Sequence, residues 1–424
     1  MGSRLARVAF AAALLASAAV GATSAPVRAD SVTFGTPTAS SSFGKGVDFS
    51  QPYSGGGKLR EVDIAIAYPG SIGLSVIKLD SPGSTSFTYA LDTSAGQLQP
   101  NTQLVAHFEV TFADGTVQAA PDIRVTYLDD RFRWRTKTGA VVRLHWYQGD
   151  DAFAAQALQM GEQGIATAAA FMGVTETQPI DFYIYADQTP FYDALGPGTR
   201  ENVGGEANTT TRTLFALIAP NELAYASTVV PHELTHVVFA EVTRNPYHYP
   251  PRWLNEGIAV YLSQGYDSSD RQLVASAAAD GSLMPLQAIG GEFPTTQDRF
   301  YLAYAEAVSA VDYFMRTYGK ADVIKLLNAF GTGASDDEAF KAAIGMDVDT
   351  FDKAWMKANG VTSLQSFGPR PAPTGTAPQG GSGQSQGGIP TVVLVAVALA
   401  GAIAVALGLV AVVMRRRSRS RGEP

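Results

Sequence analysis

His232, Glu233 and His236 stand in the order His-Glu-x-x-His within the apolar segment Val229 to Phe239 of this 424-residue chain. Residues four apart share one face of a helix, so both imidazoles can reach a single ion while Glu233 projects beside it. Zinc takes nitrogen or anionic oxygen donors at about 2 Å, and a catalytic site leaves one position open for water. A carboxylate next to that water accepts its proton, which is the chemistry of metal-assisted hydrolysis. The chain has only five histidines, so two of them at this spacing around a glutamate is a rare accident. The bland alternative is a pair of structural histidines on a core helix. Pro231 directly before the first candidate ligand predicts that the helix starts there, with Pro231 in its first turn and Ser227 or Thr228 as N-cap.

A third ligand has to come from elsewhere. A ligand six residues beyond His236 would need histidine at position 242, which is Val242. Nineteen residues separate His236 from Glu256, which sits in Trp253-Leu254-Asn255-Glu256-Gly257-Ile258-Ala259. The Pro-rich loop Asn245 to Arg252 lets a second helix fold back so that Glu256 faces the first.

His232 to His236 followed by Asn255, Glu256 and Gly257 resembles the gluzincin zinc metallopeptidases. The stretch Trp253 to Ala259 is similar to that of the M1 aminopeptidases, and the helical region with Tyr301, Tyr304, Ala305, Ala307, Tyr318 and Gly319 is more like the peptidase MA-like domains. The resemblance covers about residues 140 to 360. It implies one zinc ion held by His232, His236 and Glu256, with Glu233 as general base. It also points to Tyr304, and after it Tyr301, as a donor to the oxyanion. Two features depart from the relatives. The M1 segment Gly-x-Met-Glu-Asn, which holds a free amine, finds only Gly204-Gly205-Glu206-Ala207-Asn208 here, so exopeptidase action does not follow. Val260 stands where thermolysin-like enzymes carry an aspartate that orients a ligand histidine, which leaves that role without a candidate.

The elements that would position these residues follow a simple order. Residues 30–137 contain short alternating runs, among them Glu61 to Ala67, Gln103 to Phe112 and Asp122 to Tyr127, separated by Gly, Pro, Ser and Asp clusters. Such spacing predicts a small antiparallel β-sandwich. Residues 138–367 alternate at first, with strands at Val141 to Tyr147, Asp181 to Ala186 and Thr213 to Ile218 around a helix from Ala152 to Met172, and then become almost wholly helical. The fold class expected is α+β, a β-sandwich-like domain followed by a gluzincin-type domain of a small sheet, an active-site helix and a helical C-terminal region. The resemblance suggests Thr213 to Ile218 as an edge strand that pairs with substrate backbone; an interior strand fits the sequence equally well. His248, in the loop between the ligands, is read as a surface residue.

Both ends of the chain differ from this body. Residues 1–29 carry Arg4 and Arg7, an apolar run from Val8 to Val20 and small residues around Ala29, the pattern of a signal peptide. Residues 368–390 are almost all Pro, Gly, Ser, Gln, Thr and Ala, a flexible linker. Thr391 to Met414 gives 24 residues without a charge, enough for one transmembrane helix, and five arginines follow in 415–424. Such a basic flank stays cytoplasmic, so residues 30–390 are expected outside a bacterial cell membrane. Without the eight arginines of the two ends and Glu423, that outer part holds 23 basic and 38 acidic residues, about −15, which argues against nucleic acid as a partner. The absence of cysteine removes disulfides and thiolate ligands. The expected partner is a peptide or protein substrate; a non-catalytic surface protein on the same scaffold is the alternative.

Overall fold

The computed structural model describes residues 31–361 apart from 57, 81–82, 97, 198–203 and 221. The expected signal peptide, linker, membrane span and basic tail lie outside the described residues. Among the described residues no helix is long and apolar enough to cross a membrane.

Strict alternation builds the first region. Its described residues form the strands β1 (Val32–Phe34), β2 (Thr38–Ser42), β3 (Gly46–Gly55), β4 (Leu59–Ala67), β5 (Ser75–Lys78), β6 (Ser86–Asp92), β7 (Thr102–Phe112), β8 (Val117–Ala119) and β9 (Ile123–Tyr127). All pairings are antiparallel: β1, β2 and β6 flank β3, while β5-β4-β7-β8 with β9 on β7 makes a second sheet. Along β7 every second residue is buried, so Leu104, Phe108, Val110 and Phe112 meet Phe49 and Phe87 in one apolar cluster. Each such side chain contributes roughly 1.5–3 kcal/mol when fully buried. With no cysteine in the chain, burial of this kind has to carry the stability.

A second sheet system starts with β10 (Arg135–Thr138), which straddles the expected boundary at 137/138 and pairs with β11 (Val142–Trp146). β12 (Ile180–Tyr185) and β14 (Thr213–Leu217) continue it in parallel, and β13 (Gly205–Asn208) closes it antiparallel to β14. The order is β10-β11-β12-β14-β13. Every residue of β12 is buried, as both faces of an interior strand must be when helices and aromatic side chains cover them.

Among the described residues nine helices follow or interleave: α1 (Asp151–Met172), α2 (Gln188–Leu195), α3 (Leu223–Thr243), α4 (Arg252–Ser263), α5 (Ser268–Asp280), α6 (Gln297–Thr317), α7 (Lys320–Gly331), α8 (Asp336–Ile344) and α9 (Val348–Ala358). α1 is held at its start by Asp150, whose side chain accepts from the Phe153 N–H, and stopped by Gly173 in the left-handed region. α3 packs between α1 and α4, and α4 lies on α6. Two glycines permit this closeness. A Cβ on Gly164 would stand 3.0 Å from the Pro231 Cα, and one on Gly257 would stand 2.4 Å from the Ala307 carbonyl oxygen.

The start of α3 differs from expectation. Pro231 lies in the helix interior, the helix begins at Leu223 and Glu222 occupies the N-cap. Leu223, Ala224, Tyr225 and Ala226 favour the helical state enough to extend it upstream. Pro231 supplies no N–H to the carbonyl of Ser227, a loss the tertiary packing of α3 outweighs.

Candidate metal centre

α3 brings His232 and His236 one turn apart and buries both, and α4 folds back to set Glu256 between them. His232 Nε2 lies 3.1 Å from His236 Nε2. Glu256 Oε2 lies 3.5 Å from the first and 3.6 Å from the second. Donors about 2 Å from one tetrahedral ion stand about 3.3 Å from each other, so the three atoms already have the spacing zinc requires. Among the described residues this is the one cluster of His, Asp or Glu that converges in this way.

Burial without partners points the same way. Neither oxygen of Glu256 has a hydrogen-bond partner, and Glu233 Oε2 and His232 Nδ1 are likewise buried and unpaired. Buried polar atoms left unpaired cost about 1–3 kcal/mol each, unless something else engages them. Burial pushes the His232 imidazole down to about 4 and so keeps it neutral. For Glu256 burial acts upward, but the His232 ring beside it and the charges of His236 and Arg252 outweigh it and hold the carboxylate at about 2. A neutral imidazole and an ionised carboxylate are the protonation states a metal ion needs.

Two residues around the cluster fill roles the sequence left open. Asn255 Oδ1 lies 2.9 Å from His236 Nδ1 and fixes that ring. Arg252, buried in the first turn of α4, brings Nε to 3.4 Å from Glu256 Oε1. Asn255 was visible within the motif, and its adjacency to Glu256 was the signal.

Glu233 points toward β13. A Cβ on Gly205 would stand 2.9 Å from the Glu233 Cγ, so the strand passes directly over the carboxylate. Burial, then Glu256 and Glu206, push the Glu233 carboxyl well above its usual range, against a hydrogen bond from the Ala207 N–H. β13 ends the sheet order, whereas β14, the strand suggested by the stretch Thr213 to Ile218, lies in the interior between β12 and β13. The edge strand is therefore Gly205–Asn208, four residues without the apolar alternation that marks a strand.

Tyr304 is buried on α6 with its hydroxyl unpaired. Burial first, then the charges of Glu256 and Glu233, raise it well above 10, which sets it beside both carboxylates. The Tyr301 hydroxyl is also buried and unpaired, with its ring against Phe300. Tyr225, which the sequence did not single out, feels Glu233 and packs its hydroxyl over Gly204. His248 pairs with Asp336 at 2.7 Å, at the far end of the connecting loop, and takes no part in the cluster.

The first region reaches this strand. Gln99 donates from Nε2 to Glu206 Oε1 at 2.5 Å and accepts from Asn208 Nδ2 at 2.7 Å. Asn101 donates to Asp181 Oδ2 and to Thr213 Oγ1, both at 3.0 Å.

Residues 160–359 match the family model described as the Peptidase MA superfamily, which bears out the resemblance over that stretch. No curated protein matches the sequence. Among solved structures, a mutant of an M1 zinc metallopeptidase from Deinococcus radiodurans is similar at 12% identity and a TM-score of 0.36, over 77% of this chain and 92% of that one. An aminopeptidase N family protein from Idiomarina loihiensis is similar at 11% identity and a TM-score of 0.39, over 77% of this chain and 75% of that one.

Proposed function

We propose, with the match of residues 160–359 to the Peptidase MA superfamily as premise, that this chain is a zinc-dependent peptidase. One observation carries the reading: three buried donor atoms 3.1 to 3.6 Å apart, with a second buried carboxylate, Glu233, beside them. His232, His236 and Glu256 would hold one zinc ion, and zinc so held supplies a Lewis acid for the scissile carbonyl and lowers the pKa of water.

The remaining steps belong to the chain. Glu233 accepts the proton of the attacking water and returns it to the leaving amine. Burial raises its affinity for the proton, and a cation held by the three donors beside it would lower that affinity toward the range in which Glu233 can both take and return one. The outer edge of β13 offers backbone N–H and C=O groups on which an extended peptide lies across the site. Tyr304 donates its hydroxyl to the oxygen that gains charge. A scaffold that merely bound a partner would have no use for Glu233, whose burial costs stability and which is not needed to hold a metal.

The uncharged stretch Thr391 to Met414 and the arginines after it support an anchor with the peptidase outside the cell, probed by its accessibility to protease on intact cells. The metal reading is tested by zinc content per chain and peptide hydrolysis before and after chelation, in wild type, His232→Ala and Glu256→Gln. One zinc and chelator-sensitive cleavage in wild type, both lost in the variants, is expected. Chelator-resistant cleavage would overturn it.

A further inference from the structure

Among the buried carboxyl groups outside the metal centre are Glu306 on α6 and Asp352 on α9. Both hold the same segment. Glu306 Oε1 accepts the Met284 N–H at 2.9 Å, and Asp352 Oδ2 accepts the Leu286 N–H at 3.0 Å. The second oxygen of each, Glu306 Oε2 and Asp352 Oδ1, is buried without a partner. Among the described residues neither carboxyl forms an ion pair, an arrangement that is costly for charged groups and mild for neutral ones.

The segment they hold runs from Leu283 through the single 3-10 turn Leu286–Ile289 to Phe293, and Leu283, Met284, Leu286, Ile289 and Phe293 are buried. Its far end meets the metal centre. The Gly290 carbonyl accepts the Arg252 N–H at 2.6 Å, one of the donors at the start of α4 that no helical carbonyl can satisfy. The Phe293 ring lies 4.8 Å from the Arg252 guanidinium, which in turn faces Glu256. Phe293 also packs edge-on against Tyr304, with 5.0 Å between ring centres.

We propose that Glu306 and Asp352 are positioning residues for the metal centre: as a pair of buried carboxyls they seat the segment 283–293, whose Gly290 carbonyl and Phe293 ring hold Arg252 against Glu256. The pair makes this hold sensitive to pH. Burial, with Asp352 adding to it, pushes Glu306 up to about 8, and burial pushes Asp352 up to about 6. The Met284 N–H and then Arg299 pull the first down; the Leu286 N–H and then Lys353 lower the second, which Asp349 raises. The segment itself brings one charged residue, Glu292, which pairs with Arg252 at 2.6 Å; of the helices packed on α6, α4 brings Arg252 and Glu256, α5 Asp270, Arg271 and Asp280, and α7 Lys320, Asp322 and Lys325, while α8, packed on α9, brings Asp336, Asp337, Glu338 and Lys341. Both folded values lie above the ordinary 3.8 and 4.5, so the stability the pair contributes is full below those values. It is lost as pH rises through about 6 and then about 8, when unpaired charge accumulates in the interior.

Only the link to zinc rests on the proposed peptidase reading, and the experiment separates the two. Full-length wild type, Glu306→Gln, Asp352→Asn and the double variant are compared; the amides keep the shape and the accepting oxygen but cannot ionise. The thermal midpoint of the metal-free chain is followed from pH ~5 to ~9, and the zinc dissociation constant is measured at pH ~6 and ~8.5, on either side of the window in which the pair titrates. The wild-type midpoint should fall relative to the double variant as pH rises, and the variant's advantage in zinc affinity should grow by about fivefold between the two pH values. The single variants should show part of each change and serve alone if the double variant does not fold. A midpoint difference that is constant with pH would overturn the pair as a titrating unit. A pH-dependent midpoint with a constant zinc ratio would overturn its positioning role. Absence of zinc binding in all four would overturn the metal reading and the positioning role with it, while the midpoint curves still judge the pair.

Discussion

Asn255 holds His236 from the position next to Glu256, Oδ1 to Nδ1 at 2.9 Å, so a single turn of α4 both carries one member of the cluster and orients another. Removing such a partner typically weakens a metal site by about 10–100-fold. Asn255→Ala is expected to lose zinc affinity in that range, while Asn255→Asp, which keeps the accepting oxygen, should retain most of it. Competition against a chelator of known affinity measures both. Equal affinity in wild type and Asn255→Ala would show that the ring needs no such support.

Gly257 sets how closely α4 approaches α6. A Cβ there would come within 2.4 Å of the Ala307 oxygen and 2.7 Å of its carbonyl carbon, both backbone atoms. Gly257→Ala should therefore push α4 outward together with Glu256, costing about 1–3 kcal/mol as overpacking does. Urea unfolding reads the cost, and zinc affinity reads the displacement. A variant with wild-type stability would mean that the helices part without penalty.

How much of this was legible beforehand depends on how local each signal is. The cluster could be read because helical periodicity ties His232 to His236 within one turn, and the motif around Glu256 is continuous in sequence. The helices after Trp253 were visible for the same reason. β13 was not visible, because Gly205–Asn208 is short, contains Gly and Asn, and becomes a strand only through its pairing with β14. The start of α3 was misplaced because a proline usually marks a first turn, whereas here Gly164 gives Pro231 room inside the helix. The contacts of Gln99 and Asn101 with β13 and its neighbours join residues 80 to 112 positions apart, a range at which sequence pattern carries no information.

Gln99 ties the first region to the strand over Glu233, and its effect depends on pH. Burial pushes Glu206 up to about 7, and the Gln99 amide pulls against that by donating to the ionised form. The folded value lies above the ordinary 4.5, so Glu206 costs stability increasingly as pH rises through about 7, and Gln99 offsets part of that cost. Gln99→Leu should therefore destabilise the chain by about 1–3 kcal/mol, more at pH ~8 than at pH ~6, because it leaves a buried partner unpaired. Urea titrations of wild type and variant at the two pH values check this. A loss larger at the lower pH would reverse the assigned role.

The central claim assigns Glu233 a chemical role separate from holding the metal. Wild type and Glu233→Gln, each assayed for zinc by atomic absorption, are to be compared in single samples for cleavage of a mixed peptide library read by mass spectrometry. One zinc per chain is expected in both, with cleavage reduced by at least about 100-fold in the variant, the scale of a lost general base. Cleavage by Glu233→Gln at the wild-type rate, with zinc still bound, would contradict it.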